Sequence, residues 1–363
     1  MLIYYIYFIF LAVVAVEYEI NPFKSNGVLI FIILSLALLA GLRSEDVSRD
    51  YLAYQYGFDD LHNFIGDPPW SNFIKYEPGF IAVVLFFKQF FLENYGLAIM
   101  LFFAFASVTI KVLIVDRFSI NPYLVILLYF SHYFMLHEMT QIRIGFASAI
   151  FFISLIFYFK NNYKAFICLV LLAALFHYSA ICYLALLLFD KKTFNRYIYV
   201  GLIILSIAFA FIKLPLFNFV GNLFSTVDSS GKLATYSVII ENKLVEDIKV
   251  FNVINLLKIF CAVYLIYVVP KDQLLKDKQL LFFLKCTILS IFTLSLFSGV
   301  PSVAFRISEL FGVMSMFIFA YMAKYLPFYK YNVWFVVIIA GLLFYFSSIH
   351  GGLLNPYQLI KIR

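Results

Sequence analysis

Two apolar stretches interrupted by polar residues decide the fold of this chain: HEMTQIRIGFASAIFFISLIFYF at 137–159 and LLAALFHYSAICYLALLLFD at 171–190. The first sets Gln141 and Arg143 at the mouth of an apolar helix, and the second places His177 between two apolar runs. A lipid bilayer offers no hydrogen bonds, so a polar side chain at its edge or inside it indicates a functional site. The alternative is structural: Arg143 snorkels to a headgroup, and His177 is a satisfied interior imidazole.

The composition places these stretches in a membrane protein. The 363 residues are 64% hydrophobic, 21% aromatic and 13% charged, with a mean hydropathy of +0.96. Soluble domains carry about 25% charged residues, so this class is excluded. The apolar runs suit helices and do not alternate as barrel strands do, which predicts an all-α polytopic protein. The net charge of +7 lies in short loops, where it sets orientation and does not indicate nucleic-acid binding.

The apolar runs predict roughly 11–13 spans, some short or re-entrant, in a single transmembrane domain over 1–363. The first run lacks a basic start and a cleavage site, so we expect a retained helix. The run at 80–92 is about half of a full span and carries Lys88, so we expect a re-entrant or interfacial helix, unless a neighbouring boundary differs. The runs lie at 2–16, 28–42, 80–92, 97–115, 123–136, 144–159, 165–176, 180–189, 198–212, 251–269, 280–297, 307–323 and 333–347. The seventh and eighth runs are two short helices that meet at HYS, or one broken span.

Short basic loops orient the chain by the positive-inside rule, which places them in the cytoplasm. They are KNNYK at 160–164, DKKTFNR at 190–196, KDQLLKDK at 271–278, and the connection that carries Lys324 and Lys330.

The acidic segment 43–78 is predicted to be an extracytoplasmic loop, with 213–250 as the second large one. If the run at 80–92 crossed the membrane fully, counting spans backward from the cytoplasmic loop KNNYK would place 43–78 in the cytoplasm instead. Tyr51, Tyr54 and Phe58 recur at helical spacing in the first loop, which predicts a short amphipathic helix on the membrane surface.

On this topology, polar residues distant in sequence converge on one membrane face. Arginine donates two parallel hydrogen bonds to phosphate oxygens, so the arginines in this group indicate an anionic substrate. The diphosphate of a lipid carrier would lie at the headgroup level, where these arginines are expected. Tyr51 and Tyr54 offer stacking surfaces for sugars. The four cysteines lie in apolar runs, and we expect neither a disulfide nor a metal site. The converging residues are Arg43, Asp50, Glu77, Gln141, Arg143, His177, Arg306 and Glu309.

The motifs GLR at 41–43, DYLAY at 50–54, EPGF at 77–80, QIRIG at 141–145 and LFHYSA at 175–180 together resemble the EpsG-like branch of Wzy-type polysaccharide polymerases. The resemblance is weaker at AFRISELF. It implies a bacterial inner-membrane glycosyltransferase of the all-helical GT-C-like class, with no metal or cofactor. Such an enzyme moves a growing O-antigen, capsule or exopolysaccharide chain from undecaprenyl diphosphate onto the next lipid-linked repeat unit, on the extracytoplasmic side. A separate chain-length-determining co-polymerase is a further partner implied by the resemblance.

This chemistry needs positive charge at the leaving diphosphate and a base for the acceptor hydroxyl. We assign Arg143 and Arg306 to the diphosphate, with Arg43 as second choice. Asp50 is the first candidate for the base, followed by Glu77 and then His177. Other predicted substrate contacts come from Tyr51, Tyr54, Gln141 and Tyr178, while Glu309 orients Arg306.

Two other functions fit parts of the pattern. A flippase or exporter of the same glycan would show internal repeats and polar residues at mid-membrane depth in both halves, whereas here the charges cluster at one face. An O-antigen ligase shares the donor and the arginine chemistry, so the sequence separates it poorly from a polymerase.

Overall fold

The computed structural model describes residues 1–23, 25–61, 76–91, 93–189, 193–212 and 248–360. These residues form two compact units, Met1–Leu187 with Phe319–Arg363, and Leu188–Ile318. The prediction of one transmembrane domain stays a prediction. Most of the predicted loop 213–250, and the middle of 43–78, lie outside the described residues.

Among its described residues, the first unit begins with eight α-helices, of which α5 packs against α2, α4 and α7, and α7 packs against α8. A π-helix, Tyr129–Glu138, continues α6, and a 3₁₀-helix, Tyr178–Leu188, follows α8. The helices are α1 (Leu2–Ile20), α2 (Asn26–Gly41), α3 (Tyr51–Asp60), α4 (Pro78–Phe90), α5 (Tyr95–Phe118), α6 (Pro122–Leu128), α7 (Ile142–Phe159) and α8 (Tyr163–Ala174).

In the described part of the second unit, a central helix packs against three others. It is α12 (Lys278–Leu296), and its neighbours are α9 (Arg196–Ile212), α10 (Val253–Val268) and α13 (Pro301–Gly312), with the short α11 (Lys271–Lys276) preceding it. The chain returns to the first unit through α14 (Ser315–Tyr325) and ends with α15 (Asn332–Phe344) and a second π-helix, Tyr345–Ile349.

The chain is an all-α polytopic membrane protein, as the sequence predicted, and every predicted apolar run coincides with a helix or a pair of consecutive helices. Among the described residues, five helices are long and apolar enough to cross a membrane, and a sixth crossing results if the pair Val303–Gly312 and Ser315–Tyr325, bent by 44°, is one span. The five are Leu2–Ile20, Tyr95–Phe118, Ile142–Phe159, Lys278–Leu296 and Asn332–Ile349. Shorter apolar helices occupy most of the other predicted runs.

Polar residues fix where the helices begin. The side chains of Asn121, Asn162 and Asp277 each accept a hydrogen bond from a backbone N–H in the first turn of the following helix. The N–H groups of a first helical turn have no partner within the helix, and a bilayer offers them none. The side-chain oxygen that precedes each helix therefore acts as an N-terminal cap and accepts one of these hydrogen bonds.

The carboxyl-terminal segment is paired to the chain that follows α2. Antiparallel bridges join Arg43 to Leu359 and Ser48 to Leu354. The backbone of Ile360 donates to the carbonyl of Leu42 at 2.9 Å. This pairing holds the start of α3 against the end of the chain. The short helix predicted near Tyr51 is confirmed as α3, and its position on the membrane surface stays a prediction.

Candidate active site

An ion pair joins the starts of two helices in the first unit. Arg143, in the first turn of α7, donates from Nη1 to Oε2 of Glu77 at 2.5 Å. Glu77 immediately precedes Pro78, the first residue of α4. The side chain of Glu77 is 8% exposed and that of Arg143 is 28% exposed. Arg143 is therefore anchored by Glu77 and still accessible to a ligand.

A cavity of about 110 Å³ lies beside this ion pair. The cavity thus brings together two residues that the sequence assigned to different chemical steps, Asp50 as a base and Arg143 as an anion ligand. A carboxylate and a guanidinium that line one space suit proton abstraction beside a departing anion. The lining residues are Asp50, Ala53, Tyr54, Gly57, Tyr76, Phe80 and Arg143.

Aromatic rings surround the guanidinium of Arg143. Its Cζ lies 5.8 Å from the ring centre of Tyr54 and 5.4 Å from that of Phe80, which are cation–π distances. Its Nε is buried and has no hydrogen-bond partner among the described residues. Because buried donors are normally paired, this N–H is available to a bound anion.

The phenol of Tyr54 is buried next to both charges of the cavity. Burial raises the pKa of Tyr54, the carboxylate of Asp50 raises it further, and Arg143 lowers it. Because the net shift is upward from 10.0, the phenol stays protonated at neutral pH. Tyr54 therefore brings a hydroxyl donor, and not a charge, to the cavity.

The motifs EPGF and LFHYSA pack directly on each other. The backbone N–H of Gly79 donates to the carbonyl of Leu175 at 2.7 Å. A Cβ at position 79 would lie 2.9 Å from that oxygen, so this close approach requires glycine. His177 follows two residues later, and its Nδ1 lies 2.6 Å from the hydroxyl of Ser179. The helix break at HYS is confirmed, since α8 ends at Ala174 and the 3₁₀-helix begins at Tyr178.

The model of one protein family matches residues 27–359, which is nearly the whole chain, and the family is EpsG. The chain belongs to the EpsG family. This is a family of Wzy-like polymerases, so the chain has a polysaccharide-polymerase-like function in general terms, and the predicted family is confirmed. Neither the curated proteins nor the solved structures gave a match.

Two other predicted residues of this EpsG-family protein lie near the Arg143–Glu77 ion pair, one in sequence and one in space. Gln141 is half-buried directly before α7, and its backbone N–H donates to the carbonyl of Leu136 at 2.8 Å. Tyr178 is 49% exposed and lies close enough to Glu77 to interact with its charge. Both side chains are accessible, and their predicted substrate contacts stay predictions.

Arg43 is fully buried, which argues against its second-choice assignment to the diphosphate. Its guanidinium donates to the carbonyl of Ala40 and the hydroxyl of Ser48, and its Cζ lies 5.6 Å from the ring centre of Tyr51. Burial lowers the pKa of Arg43 to about 10, with an opposing effect from Tyr51, so the group is still charged at neutral pH. Arg43 and Tyr51 therefore stabilise the segment before α3. Sequence reasoning missed this because an arginine at a helix end commonly snorkels.

The remaining predicted pair lies in the second unit, on α13. Arg306 is exposed, whereas Oε2 of Glu309 is buried with no hydrogen-bond partner among the described residues. The charge that acts most strongly on Glu309 is Lys258 of α10, followed by Arg306. Lys258 also donates to the hydroxyl of Ser290 at 3.3 Å. Glu309 thus lies near two cations, and its role in orienting Arg306, like the joint action of Arg306 and Arg143, stays a prediction.

Sequence reasoning missed a buried ion pair inside the first unit. Nζ of Lys111, in α5, lies 2.5 Å from Oε1 of Glu138, and both side chains are at most 1% exposed. The signal was present in the sequence, because a lysine within the apolar run 97–115 requires a buried partner. The partner lies 27 residues away, and helical periodicity does not identify it.

Proposed function

We propose that this EpsG-family chain is a glycan polymerase whose reaction takes place at the cavity between Asp50 and Arg143. It transfers a growing glycan from undecaprenyl diphosphate onto a sugar hydroxyl of the next lipid-linked repeat unit, on the extracytoplasmic side of a bacterial inner membrane. The observation that carries the proposal is that a carboxylate and an anchored guanidinium line the same cavity in a polymerase-family protein.

Arg143 binds the diphosphate in this proposal. One side of its guanidinium is held by Glu77, and its buried Nε has no partner among the described residues. The cavity of about 110 Å³ is smaller than the several hundred Å³ of a typical ligand pocket, so it suits a phosphate-sized group and not a whole repeat unit. As the diphosphate leaves, its developing charge is stabilised by a cation that is already oriented.

Asp50 acts as the general base. The bond between the anomeric carbon and the diphosphate oxygen breaks, and a bond forms between that carbon and the acceptor hydroxyl oxygen. The hydroxyl proton moves to the carboxylate of Asp50, and the lipid diphosphate leaves with the electron pair. Glu77 is less suited to this step because its charge is committed to Arg143, and His177 contacts Ser179.

The other predicted residues complete the proposed substrate contacts. Tyr54 donates its hydroxyl to the cavity, and Gln141 and Tyr178 bind sugar or phosphate oxygens beside it. In the second unit, Arg306 is proposed to bind diphosphate on the grounds of its sequence motif alone. The positive charge comes from arginine, so the proposed reaction uses no metal ion. A chain-length-determining co-polymerase remains a proposed partner.

The experiment compares cells that lack the protein with cells that express Asp50→Asn, Arg143→Lys or the control Arg117→Lys, at matched protein abundance. Arg117 is an exposed arginine of the same unit. Gel analysis of the surface glycan is expected to show single repeat units on the cell-surface anchor in cells that lack the protein and in Asp50→Asn cells. Arg143→Lys cells are expected to make less polymer, and Arg117→Lys cells to make as much as wild type. Unattached long chains would indicate a ligase, repeat units trapped on the cytoplasmic side would indicate a flippase, and either result would overturn the proposal.

A further inference from the structure

We infer that the buried Lys111–Glu138 ion pair is the positioning element of the site, because it fixes the π-helix from which α7 and Arg143 start. The inference rests on the proposed function for its activity readout. Its structural readout, the separation of positions 77 and 143, does not depend on the reaction.

Three side chains saturate the carboxylate of Glu138. Lys111 and Tyr129 each contact Oε1 at 2.5 Å, and the hydroxyl of Ser107 donates to Oε2 at 3.0 Å. Lys111 and Ser107 belong to α5, whereas Tyr129 and Glu138 are the first and last residues of the π-helix. The carboxylate therefore ties both ends of the π-helix to one neighbouring helix.

A π-helix needs such support. It is rare beyond a single turn and is often found at functional sites. Here it spans ten residues, and the chain leaving it makes the same wide hydrogen bonds, from the backbone N–H of Met139 to the carbonyl of Phe134 and from that of Gln141 to Leu136. The hydroxyl of Thr140 also donates to the carbonyl of Met135 at 3.0 Å. The path from Glu138 to α7 is thus fixed at each step.

The first turn of α7 rests directly on Glu138. A Cβ at Gly145 would overlap Oε2 of Glu138 and would lie 2.9 Å from the carbonyl oxygen of His137. Gly145 is two residues beyond Arg143, whose guanidinium reaches Glu77 and the cavity. A shift of Glu138 therefore moves the helix turn that carries Arg143.

A purely stabilising role would be an unusual use of these charges. Buried ion pairs are costly to desolvate, and an apolar pair of similar volume is often as stable. Within a membrane span this cost favours a functional reason for the pair. The placement of Glu138 against the turn that bears Arg143 supplies that reason.

The first test removes both charges at once. Lys111→Met/Glu138→Gln leaves no unpaired buried charge, so the protein is expected to accumulate normally even if Glu138→Gln alone does not. Polymer formation is expected to fall roughly 10- to 100-fold, because a displacement of about 1 Å at a reacting group costs up to about 100-fold. Wild-type polymer formation in the double variant would overturn the inference.

The second test measures position directly. Cysteines at Glu77→Cys and Arg143→Cys, in a chain whose native cysteines are alanine, are joined with a short bis-thiosulfonate reagent. With Lys111 and Glu138 intact the cross-link is expected to form readily, and in the charge-free double variant the cross-linked fraction is expected to fall below half. A pair that only stabilises the fold would lower the amount of protein and leave the cross-linked fraction unchanged, and this outcome would overturn the inference.

The third test keeps the ion pair and disturbs its contact with α7. Gly145→Ala is expected to reduce polymer formation about tenfold, since its Cβ displaces the turn from Glu138. Gly341→Ala is the matched control, because the nearest atom to its Cβ is 3.7 Å away on Phe8. Equal activity of the two alanine variants would contradict the inference.

Discussion

Arg143 and Glu77 form a 2.5 Å ion pair that joins the first turn of α7 to the residue before α4. The two residues are 66 positions apart and come from different motifs, QIRIG and EPGF. The pair orients the guanidinium toward a cavity that Asp50 also lines. A charge that is fixed before substrate arrives can stabilise a leaving anion without reorganisation, which is the role proposed for Arg143.

Neutralising the anchor tests this orientation. In Glu77→Gln the guanidinium loses the charged partner that fixes it, so kcat is expected to fall about tenfold, in line with the loss of a supporting group around a reactive centre. The measurement is the rate of polymer extension by purified protein in vesicles that contain lipid-linked repeat units. Glu93→Gln, at an exposed position, is the control. An unchanged or higher kcat in Glu77→Gln would show that Glu77 does not orient Arg143.

Removing the proposed base has a larger effect. Asp50→Asn keeps the shape of the side chain and loses its ability to take a proton, so the rate is expected to fall by about 10²- to 10⁴-fold. The affinity for the lipid-linked substrate is expected to change little. The control is Asp46→Asn, an exposed acid in the same segment. If Asp50→Asn retained the rate of this control, the base would have to be another residue.

The buried Arg43 is expected to contribute more to stability than an exposed arginine does. Arg43→Met leaves the Ser48 hydroxyl without this donor, so we expect a loss of about 1–3 kcal/mol in unfolding free energy. Thermal unfolding in detergent measures this as a lower midpoint. Arg117→Met, at an exposed position, is expected to keep the wild-type midpoint. Equal midpoints for the two variants would mean that the Arg43 contacts add nothing to stability.

The side of the membrane on which the cavity opens is tested by cysteine labelling. Glu45 is exposed five residues before Asp50, whereas Ser48 is buried and unsuited to labelling. With the native cysteines replaced, Glu45→Cys is expected to react in intact spheroplasts with a maleimide that does not cross membranes. Lys164→Cys, in a predicted cytoplasmic loop, is expected to react only after lysis. The reverse pattern would place the cavity on the cytoplasmic side.

The sequence predicted the apolar helices because a bilayer imposes them and hydrophobicity reveals them directly. Of the roughly 11–13 spans expected, five of the described helices, or six with the bent pair, are long and apolar enough to cross a membrane. The sequence also predicted the break at His177 and the helix at Tyr51, where the pattern of apolar residues changes. The structure brings Asp50, Glu77 and Arg143 together, since Arg143 pairs with Glu77 and lines a cavity with Asp50, and their functional roles stay predictions.

Pairing between distant segments was the part that the sequence did not reveal. The bridge between Arg43 and Leu359 depends on backbone geometry, which residue types alone do not specify. The sequence also did not reveal the partner of Lys111, because a carboxylate anywhere in the chain could pair with a buried lysine. The π-helix that positions Glu138 has no recognised sequence signature, and its residues resemble those of an ordinary apolar helix.

The most direct measurement is the affinity of purified protein for a lipid-linked repeat unit, compared between wild type and Arg143→Lys in vesicles. Lysine keeps the positive charge and loses the planar guanidinium that donates two parallel hydrogen bonds. Kd is therefore expected to rise about tenfold, which corresponds to about 1.4 kcal/mol of binding free energy. Arg117→Lys is expected to bind as wild type does. An unchanged Kd in Arg143→Lys would contradict the assignment of Arg143 to the diphosphate.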